Sequence, residues 1–391
     1  MNIPMSSPEL TREDFQAVRE VLETRYLSRG PKLEAFEDSI SEYVGTNYAV
    51  GVNSGTSGLH LAVIAAGVQE NDYVITTPFS FIASANCILF QRAIPVFVDV
   101  DPQTYNINPH LVAEAADDLV HGGEKAKKWL PHRLHGTKQR GSLKAILSVD
   151  AFGQPAEYAA LEKIADKHDL ALIEDSCEAL GSAYKGKHAG TFGDVGVFAF
   201  YPNKQMTTGE GGMLVTDRED WAKLFRSLRN QGRDESDQWL NHTRLGYNYR
   251  MDEMSAALGL SQLKRIETLL EKRARVAGWY SKRIENIPDV RDLRISSSTT
   301  KMSWFVYVIQ VASKQKRDAL FKGLRKEGVP SRPYFTPIHL QPFYQETFGF
   351  RTGDFPETEH AGNTCLALPF SSVMSEEQVE YVYQEMAKIL D

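Results

Sequence analysis

The sequence of 391 residues is poor in the features that mark secreted, membrane-spanning and nucleic-acid-binding proteins. Its three cysteines, Cys87, Cys177 and Cys365, are too few and too scattered for a disulfide framework or a zinc site. No apolar run approaches the roughly 18–20 residues that cross a bilayer, and the polar, acidic N-terminus is unlike a signal peptide. The formal net charge of −7 argues against general affinity for nucleic acid or anionic membranes. These absences predict a cytoplasmic protein.

Short apolar runs alternate with helical patterns in the first half of the chain, whose composition is that of an ordinary globular protein. Alternating strand and helix implies crossover connections and a largely parallel sheet with helices on both faces. The predicted strands are Tyr48–Val52, Tyr73–Thr76, Ile94–Val98, Leu143–Val149, Leu170–Ile173, Val195–Phe200 and Gly212–Thr216. The predicted helices between them are Gly58–Ala66, Ile82–Gln91, Pro109–Leu119 and Tyr158–His168.

The pattern changes after about residue 250, which predicts a smaller α+β domain behind the large α/β domain. We place the large domain at residues 1–265 and the small domain at residues 266–391. Four prolines predict an extended loop over Pro330–Pro342. The other predicted elements here are helices at Asp252–Lys264, Leu269–Ile287, Lys314–Lys326 and Ser375–Leu390, and a strand at Met302–Val311.

A basic segment, Glu124–Lys144, interrupts this acidic chain with seven Lys or Arg residues and one Glu. We interpret it as a surface loop or hairpin inserted at about residues 120–142. It could be a solvated excursion, or it could contact a phosphate-bearing substrate or a neighbouring subunit. Metal binding by His121, His132 and His135 is disfavoured, since their spacing matches no closed ligand set.

The segment Ser54-Gly55-Thr56-Ser57 lies between a predicted strand and a predicted helix. The first backbone N–H groups of a helix have no partner within it, and the helix dipole places positive potential there. Glycine lets the backbone approach an anion, and the hydroxyls of Thr56 and Ser57 add donors. The segment is therefore either a phosphate cradle or a plain helix cap.

Two acids, Glu174 and Asp175, follow the predicted strand Leu170–Ile173. Ligands of doubly wound folds bind beyond the carboxyl ends of the strands. Because adjacent strand residues point to opposite faces, only one of the two acids can face a given ligand. Glu178 follows closely and could face the same cleft.

Lys204 follows the predicted strand Val195–Phe200 and precedes the glycine-rich run Gly209–Gly212. A lysine in such a place either extends to solvent or is a partly buried amine nucleophile. A phosphate cradle, an acid at a strand end and a partly buried lysine together suit pyridoxal 5'-phosphate (PLP). The lysine forms the Schiff base and the acid keeps the pyridine nitrogen protonated. Phe81 is a candidate for stacking on the ring, although it could be an ordinary core residue.

Several ordered motifs resemble the DegT/DnrJ/EryC1/StrS aminotransferases, from about Tyr26 to Tyr344. Members are mostly PLP enzymes with the aspartate-aminotransferase-type fold (fold type I) that aminate nucleotide-linked keto-sugars. The resemblance therefore implies a mainly parallel seven-stranded sheet in the large domain. The motifs are Gly30-Pro31, Gly51–Ser57, Thr77–Phe81, Ile173–Gly181, Phe198–Lys204, Gly209–Gly212 and Gly246–Met251.

The resemblance implies a role for each matching position. Lys204 matches the Schiff-base lysine and Asp175 the partner of the pyridine nitrogen. Among the cofactor-binding positions, Glu178 lies near the 3-hydroxyl, where many members have Gln or His, and Asn248 reaches the phosphate bound by the neighbouring subunit. The positions that match the phosphate loop and the stacking aromatic are Gly55, Thr56, Ser57 and Phe81.

The resemblance also implies two substrate contacts and a homodimer with shared active sites. Arg250 would contact the cofactor or substrate across subunits, and His339 lies in a C-terminal loop near the mouth of the site. Two positions depart from the family pattern. Ala199 replaces a serine that often binds the phosphate, so the loop and Asn248 must contribute more, and Asp150 replaces a common histidine.

We therefore predict a PLP-dependent aminotransferase that moves an amino group from an amino acid, L-glutamate by expectation, to a nucleotide-linked keto-sugar with ping-pong kinetics. The alternatives are a sugar dehydratase of the same family and a non-enzymatic regulatory protein. Dehydratases commonly have His in place of the lysine, so Lys204 argues against the first. The intact set of lysine, acid and phosphate loop argues against the second.

Overall fold

The computed structural model describes residues 3–136, 141–233 and 241–390. Its strands are β1 (Tyr48–Val52), β2 (Tyr73–Thr76), β3 (Ile94–Phe97), β4 (Leu143–Val149), β5 (Ala171–Asp175), β6 (Ala183–Tyr184), β7 (Lys187–His188), β8 (Val195–Ala199), β9 (Gly212–Thr216), β10 (Val290–Asp292), β11 (Thr299–Lys301), β12 (Tyr307–Val311), β13 (Arg332–Pro333) and β14 (Cys365–Leu368). Its α-helices are α1 (Arg12–Leu22), α2 (Pro31–Val44), α3 (Gly55–Ala65), α4 (Ala83–Leu89), α5 (Pro109–His121), α6 (Glu124–Lys127), α7 (Tyr158–His168), α8 (Glu219–Leu228), α9 (Glu253–Leu263), α10 (Ile266–Ile284), α11 (Lys314–Lys326), α12 (Pro342–Phe348), α13 (Pro356–Thr364) and α14 (Glu376–Leu390).

A seven-stranded sheet in the order β1-β9-β8-β5-β4-β2-β3 forms the centre of the large unit. The pairs from β8 to β3 are parallel, whereas β9 runs antiparallel to both of its neighbours, β1 and β8. Apolar side chains fill the core on both faces of this sheet. The predicted α/β class with a mainly parallel seven-stranded sheet is confirmed.

All seven predicted strands of this sheet are present, and local hydrogen bonds explain where the bounds differ. The fifth continues to Asp175, because Glu174 and Asp175 still pair with β4. Helix α3 begins at Gly55, three residues before the predicted start, because the hydroxyl of Ser54 accepts the N–H of Ser57 at 3.1 Å. The cradle segment is thus the first turn of the helix.

The C-terminal part contains an antiparallel sheet in the order β10-β12-β14-β13, covered by α10, α11 and α14. The predicted strand Met302–Val311 is shorter and begins at Tyr307. The residues before it bind the large unit instead: the N–H of Phe305 donates to the carbonyl of Phe152 at 3.4 Å. Those contacts bring the Phe305 side chain to the edge of the large sheet.

The two-domain division stays a prediction, although the structure has features that bear on it. The predicted boundary falls between α9 and α10. Ile3, at the other end of the chain, is buried among the apolar residues of the C-terminal unit. The N-terminal residues therefore pack with the small domain, not only with the large one.

The basic segment Glu124–Lys144 is not a hairpin where it is described. It forms α6 and a short 3-10 turn at His132–Leu134, whereas Lys138 and Arg140 lie outside the described residues. Lys127 pairs with Glu124, and Lys128 lies 3.0 Å from Asp118. The segment joins the end of α5 to the start of β4, at the amino ends of the parallel strands.

Two features are absent from the part of the chain that the structure describes. No helix there has the length and the apolar character to cross a membrane. Within the same residues, no group of three or more His, Cys, Asp or Glu side chains could hold a metal ion.

Candidate active site

A cavity of about 530 Å³ opens at the carboxyl ends of β4, β5 and β8. Ligands of parallel α/β sheets bind at this edge. Residues from the start of α3, from the loops after β2, β5 and β8, and from the C-terminal unit line it. They are Ser54, Gly55, Thr56, Leu59, Ser80, Phe81, Ala83, Ser84, Val149, Asp175, Cys177, Glu178, Ala199, Tyr201, Asn203, Lys204, Glu210, Gly211, Phe305, Tyr334 and Phe335.

The first turn of α3 forms one wall, and its close packing requires glycine at two positions. A Cβ on Gly55 would lie 2.8 Å from both Ala199 Cβ and Cys177 Sγ. A Cβ on Gly212 would lie 2.6 Å from the backbone of Ser54. Strands β8 and β9 therefore press directly against the start of the helix and hold its N–H groups at the cavity.

Glu174 and Asp175 face opposite sides of the sheet, as the strand alternation predicts. The buried carboxylate of Glu174 accepts the N–H groups of Gly190 and Gly193, away from the cavity. Asp175 lines the cavity, and its Oδ2 accepts a hydrogen bond of 2.6 Å from the hydroxyl of Ser84 on α4. This bond fixes the Asp175 carboxylate in a buried site where it can hold a cationic ring N–H.

The amine of Lys204 points into the cavity and does not extend to solvent. Its side chain is 13% exposed, and Nζ lies 3.5 Å from Oε1 of Glu178. The same nitrogen lies 3.8 Å from the centre of the Phe305 ring, a cation–π contact. The turn that follows β8 places it there, with the N–H of Lys204 donating to the carbonyl of Tyr201 at 2.9 Å.

Glu178 is held from two sides. Its Oε1 faces Lys204, and its Oε2 accepts the N–H of Phe152 at 2.9 Å. Burial raises the pKa of Glu178, while the nearby Lys204 charge acts in the opposite direction. The Lys204 charge therefore favours the ionised form of Glu178.

Six of the predicted site residues come together in this cavity, and four do not. Those that line it are Gly55, Thr56, Phe81, Asp175, Glu178 and Lys204, and those outside it are Ser57, Asn248, Arg250 and His339. The hydroxyl of Ser57 donates to Asn53 at 2.7 Å, so it belongs to the helix cap. Ser57 is therefore placed to shape the cradle.

Asn248 and Arg250 lie beside the first turn of α3 but outside the cavity of their own chain. Asn248 is exposed, and its carbonyl accepts a long hydrogen bond of 3.4 Å from Asn53. Arg250 donates to the side-chain oxygens of Asn230 at 3.1 Å and Gln231 at 2.8 Å. The contacts to a second subunit predicted for both side chains stay a prediction.

His339 is not among the residues that line the cavity. Its side chain is 0% exposed, and Nε2 lies 3.1 Å from Glu359. Burial lowers the pKa of His339, which favours the neutral ring. The substrate contact predicted for it stays a prediction.

Three residues that line the cavity, Ser84, Phe305 and Tyr334, are not among the predicted site residues. Ser84 could have been found from its position, since it lies in the first turn of the predicted helix that follows Phe81. Phe305 and Tyr334 come from the C-terminal unit, and no local pattern indicates which of its aromatic residues reach Lys204.

These residues fit PLP, judged by the chemistry of the groups present. The N-terminus of α3 offers unpaired N–H groups for a phosphate. Asp175 is a buried acid fixed by Ser84, suited to a pyridine nitrogen. Lys204 is a sheltered amine within the same cavity.

Comparison with known proteins gives the same assignment. A family model described as the DegT/DnrJ/EryC1/StrS aminotransferase family matches residues 8–387. GDP-perosamine synthase of Caulobacter vibrioides is 32% identical over 391 residues, covering 99% of this chain and 98% of that protein.

Two solved structures extend the similarity to the fold. PseC of Helicobacter pylori, an aminotransferase involved in pseudoaminic acid biosynthesis, superposes with a TM-score of 0.88 at 28% identity, covering 100% of this chain and 99% of that one. The PLP form of a putative sugar aminotransferase, Spr1654 of Streptococcus pneumoniae, gives a TM-score of 0.88 at 25% identity, covering 100% and 98%. The chain belongs to the DegT/DnrJ/EryC1/StrS aminotransferase family and is a PLP-dependent sugar aminotransferase of fold type I.

Proposed function

We propose that this enzyme transfers the amino group of L-glutamate to a nucleotide-linked keto-sugar, by a ping-pong mechanism. The observation that carries the proposal is the convergence of Lys204, Asp175 and the start of α3 on one cavity. The volume of about 530 Å³ lies within the range of small-molecule sites. The name of the Caulobacter relative, GDP-perosamine synthase, supports a nucleotide-linked acceptor.

Each residue has a task that follows from its position. The N–H groups of Gly55 and Thr56 would bind the cofactor phosphate, and Phe81 would cover the ring. The Asp175 carboxylate holds a proton on the pyridine nitrogen. Bound PLP supplies a carbonyl carbon that takes up the amino group and a ring that accepts an electron pair.

Lys204 moves the proton of the reaction. With its amine free, Nζ of Lys204 would take the proton from the α-carbon of the amino-acid donor and would give the same proton back within the half-reaction. The side chains of Phe305 and Glu178 keep Nζ within the cavity. Because the lysine is 13% exposed, bulk water has little access to the proton it carries.

We infer that the active unit is a homodimer with shared sites. Among the described residues that line the cavity, Lys204 carries the one positive charge against the carboxylates of Asp175, Glu178 and Glu210. A phosphate cofactor and a nucleotide substrate add further negative charge, so cations must come from elsewhere. Arg250 and Arg29 are suited to supply these cations, because their positive charges lie near each other. Burial and the neighbouring arginines, Arg250 included, lower the pKa of Arg29.

The two alternatives are less well supported. Lys204 lies in the cavity with Asp175, so the amine required for transamination is in place, unlike in dehydratases that have His at this position. A regulatory binding protein has no need of a sheltered amine beside a buried acid. The cytoplasmic location stays a prediction from the sequence.

The test is a pair of half-reactions followed by absorbance. Purified enzyme with PLP should lose its cofactor absorbance band on addition of L-glutamate and release one equivalent of 2-oxoglutarate. Adding keto-sugar nucleotides one at a time should restore the band with the true acceptor, and product NMR would identify the aminated carbon. Lys204→Ala is the matched control and should show neither change. A wild-type enzyme that binds PLP but reacts with no amino acid would overturn the proposal.

A further inference from the structure

The imidazole of His60 lies within an aromatic cluster beside helix α3. His60 is 3% exposed, and its ring contacts those of Phe90, Tyr247 and Tyr249, with centroids 5.1, 4.8 and 5.9 Å away. The two tyrosine rings stack on each other, with centroids 5.0 Å apart. The helix whose first turn is the cradle therefore also packs, through His60, on the segment Gly246–Met251.

Two hydrogen bonds hold the His60 ring in one orientation. The amide nitrogen of Gln91 donates to Nε2 at 2.7 Å, so Nε2 is the acceptor and the ring proton is on Nδ1. Nδ1 then donates to the hydroxyl oxygen of Tyr249 at 3.1 Å. Burial lowers the pKa of His60 to about 4, so the ring keeps this neutral form near neutral pH.

The backbone that carries Tyr247 and Tyr249 is extended. The N–H of Tyr249 donates to the carbonyl of Arg229 at 3.0 Å, and Asn248 forms an antiparallel bridge in the same segment. Adjacent residues of an extended segment point to opposite sides. Since both tyrosines face His60, the Asn248 side chain between them points the other way, and Asn248 is exposed.

Resting on the shared sites of the proposed function, we propose that His60 and Tyr249 are positioning residues that fix Asn248 for the cofactor phosphate of the neighbouring subunit. A side chain on a loose segment loses conformational freedom when it binds, and anchoring the segment beforehand reduces that cost. The first turn of α3 offers N–H groups to the phosphate of its own chain. One rigid helix thereby sets phosphate donors for two sites.

The experiment measures the dissociation constant of PLP by titrating the cofactor-free enzyme. Y249F removes one hydroxyl and keeps the stacked ring, so Kd should rise by about threefold to tenfold, the effect of one lost hydrogen bond. Y43F is the matched control, because the hydroxyl of Tyr43 donates to Glu267 at 2.7 Å and its ring contacts that of His188 at 5.2 Å. Its Kd should equal that of the wild type. H60N keeps an amide near the place of Nδ1 and should bind PLP more tightly than H60L.

A double substitution separates positioning from a general loss of stability. If Tyr249 acts through Asn248, Y249F should add nothing to the rise in Kd that N248A causes, because residues that act together have non-additive effects. Additive effects would overturn the inference. So would a Y249F variant that binds PLP like the wild type while N248A binds it more weakly.

Hydrogen exchange of the cofactor-free protein measures the anchoring without PLP. The N–H groups of Tyr247 and Tyr249 donate to backbone carbonyls, at 2.7 and 3.0 Å, and should exchange faster in Y249F than in the wild type or Y43F. Equal exchange in Y249F and wild type would also overturn the inference. An N248A variant that binds PLP as tightly as the wild type would instead overturn the shared site of the proposed function, and the exchange result would then decide the anchoring of the segment alone.

Discussion

The guanidinium of Arg273 donates hydrogen bonds to the carbonyl oxygens of Lys204 and, at 3.2 Å, of Asn203. Those bonds come from Nη2, whereas Nη1 of the same guanidinium donates to the carbonyls of Trp304 at 3.2 Å and Phe305 at 3.1 Å. One fully buried side chain of α10 thereby joins the turn that carries Lys204 to the segment that carries Phe305. The cation–π contact between those two residues depends on this connection.

Replacing Arg273 with Met should therefore destabilise the fold and misplace the lysine. Each buried carbonyl left without a donor costs about 1–3 kcal/mol, so the melting temperature should fall markedly. R273K should recover part of the stability, because lysine keeps the charge but lacks the planar fork. In the folded fraction of R273K, kcat should fall while the KM for glutamate changes little. R275M on the exposed face of α10 is the control, and similar losses there would contradict the assignment.

Ser84 should matter through Asp175. S84A removes the 2.6 Å bond that fixes the carboxylate, and a hydrogen bond to a charged group contributes about 1.5–3 kcal/mol. The half-reaction with glutamate, measured in single turnovers, should slow by about tenfold or more, and D175A should slow it by orders of magnitude. S80A provides the control, because Ser80 touches Ser84 at 2.7 Å but not Asp175. An unchanged rate for D175A would mean that another residue holds the pyridine nitrogen.

The shared site can be tested with two inactive variants, K204A and N248W. If Asn248 contributes to the active site of the neighbouring subunit, a mixed dimer has both substitutions, K204A and N248W, in the same active site. Its other active site is then intact. Subunit exchange between equal amounts should then restore up to about a quarter of wild-type activity for random pairing. Asn248 also lies beside the cradle of its own chain, through the bond of Asn53 to its carbonyl. Verified mixed dimers without activity would place its function within that chain.

The basic segment is expected to leave the kinetics unchanged. Lys127 and Lys128 pair with carboxylates of their own chain, and the segment lies at the amino ends of the strands, away from the cavity. Replacing Lys125, Lys127 and Lys128 with Ser should cost at most about 1 kcal/mol per exposed ion pair. The substrate KM should be the same at low and high salt. A KM that rises at low salt, or a change in oligomer size, would show that the segment contacts substrate or a second subunit.

Asp150 should make stability depend on pH. It is fully buried and accepts hydrogen bonds of 2.6 Å from both Ser176 and Tyr158, and burial raises its pKa to about 7. The folded protein binds the proton of the Asp150 carboxyl more tightly than the unfolded chain does. The stabilisation that this proton gives to the fold is therefore complete below about pH 4 and is lost as the pH rises through about 7. D150N carries no charge, so its melting temperature relative to the wild type should rise between pH 5 and 8. A constant difference would show that the carboxylate is already ionised at pH 5.

Local patterns predicted the elements whose determinants are local. Strands such as Tyr73–Thr76 and Leu143–Val149 have their predicted bounds because each is a buried apolar run between polar turns. Lys204 and Asp175 were found because both follow such runs, where a parallel sheet places its ligands. The recognisable motifs then supplied their roles.

The rest depended on contacts between distant parts of the chain. Phe305 meets Lys204 only because the C-terminal unit packs against the loop after β4, and His339 is buried because Glu359 lies opposite its ring. The spacing of residues in the sequence indicates neither the contact of Phe305 with Lys204 nor that of Glu359 with His339. The sequence pattern of a single chain likewise cannot indicate which residues contribute to the site of a second subunit, as proposed for Asn248.

The antiparallel strand β9 also determines when the site can come into existence. Val52 at the end of β1 pairs with Gly212 at the start of β9, and Gly212 packs on the backbone of Ser54. The cradle therefore takes its shape only after the chain has been synthesised past β9 and β9 has paired with β1. Pairings between such distant residues form slowly, because the intervening chain must first be ordered. Nascent chains still on the ribosome at an earlier point should be unable to capture the cofactor, which makes PLP uptake a late event of biosynthesis.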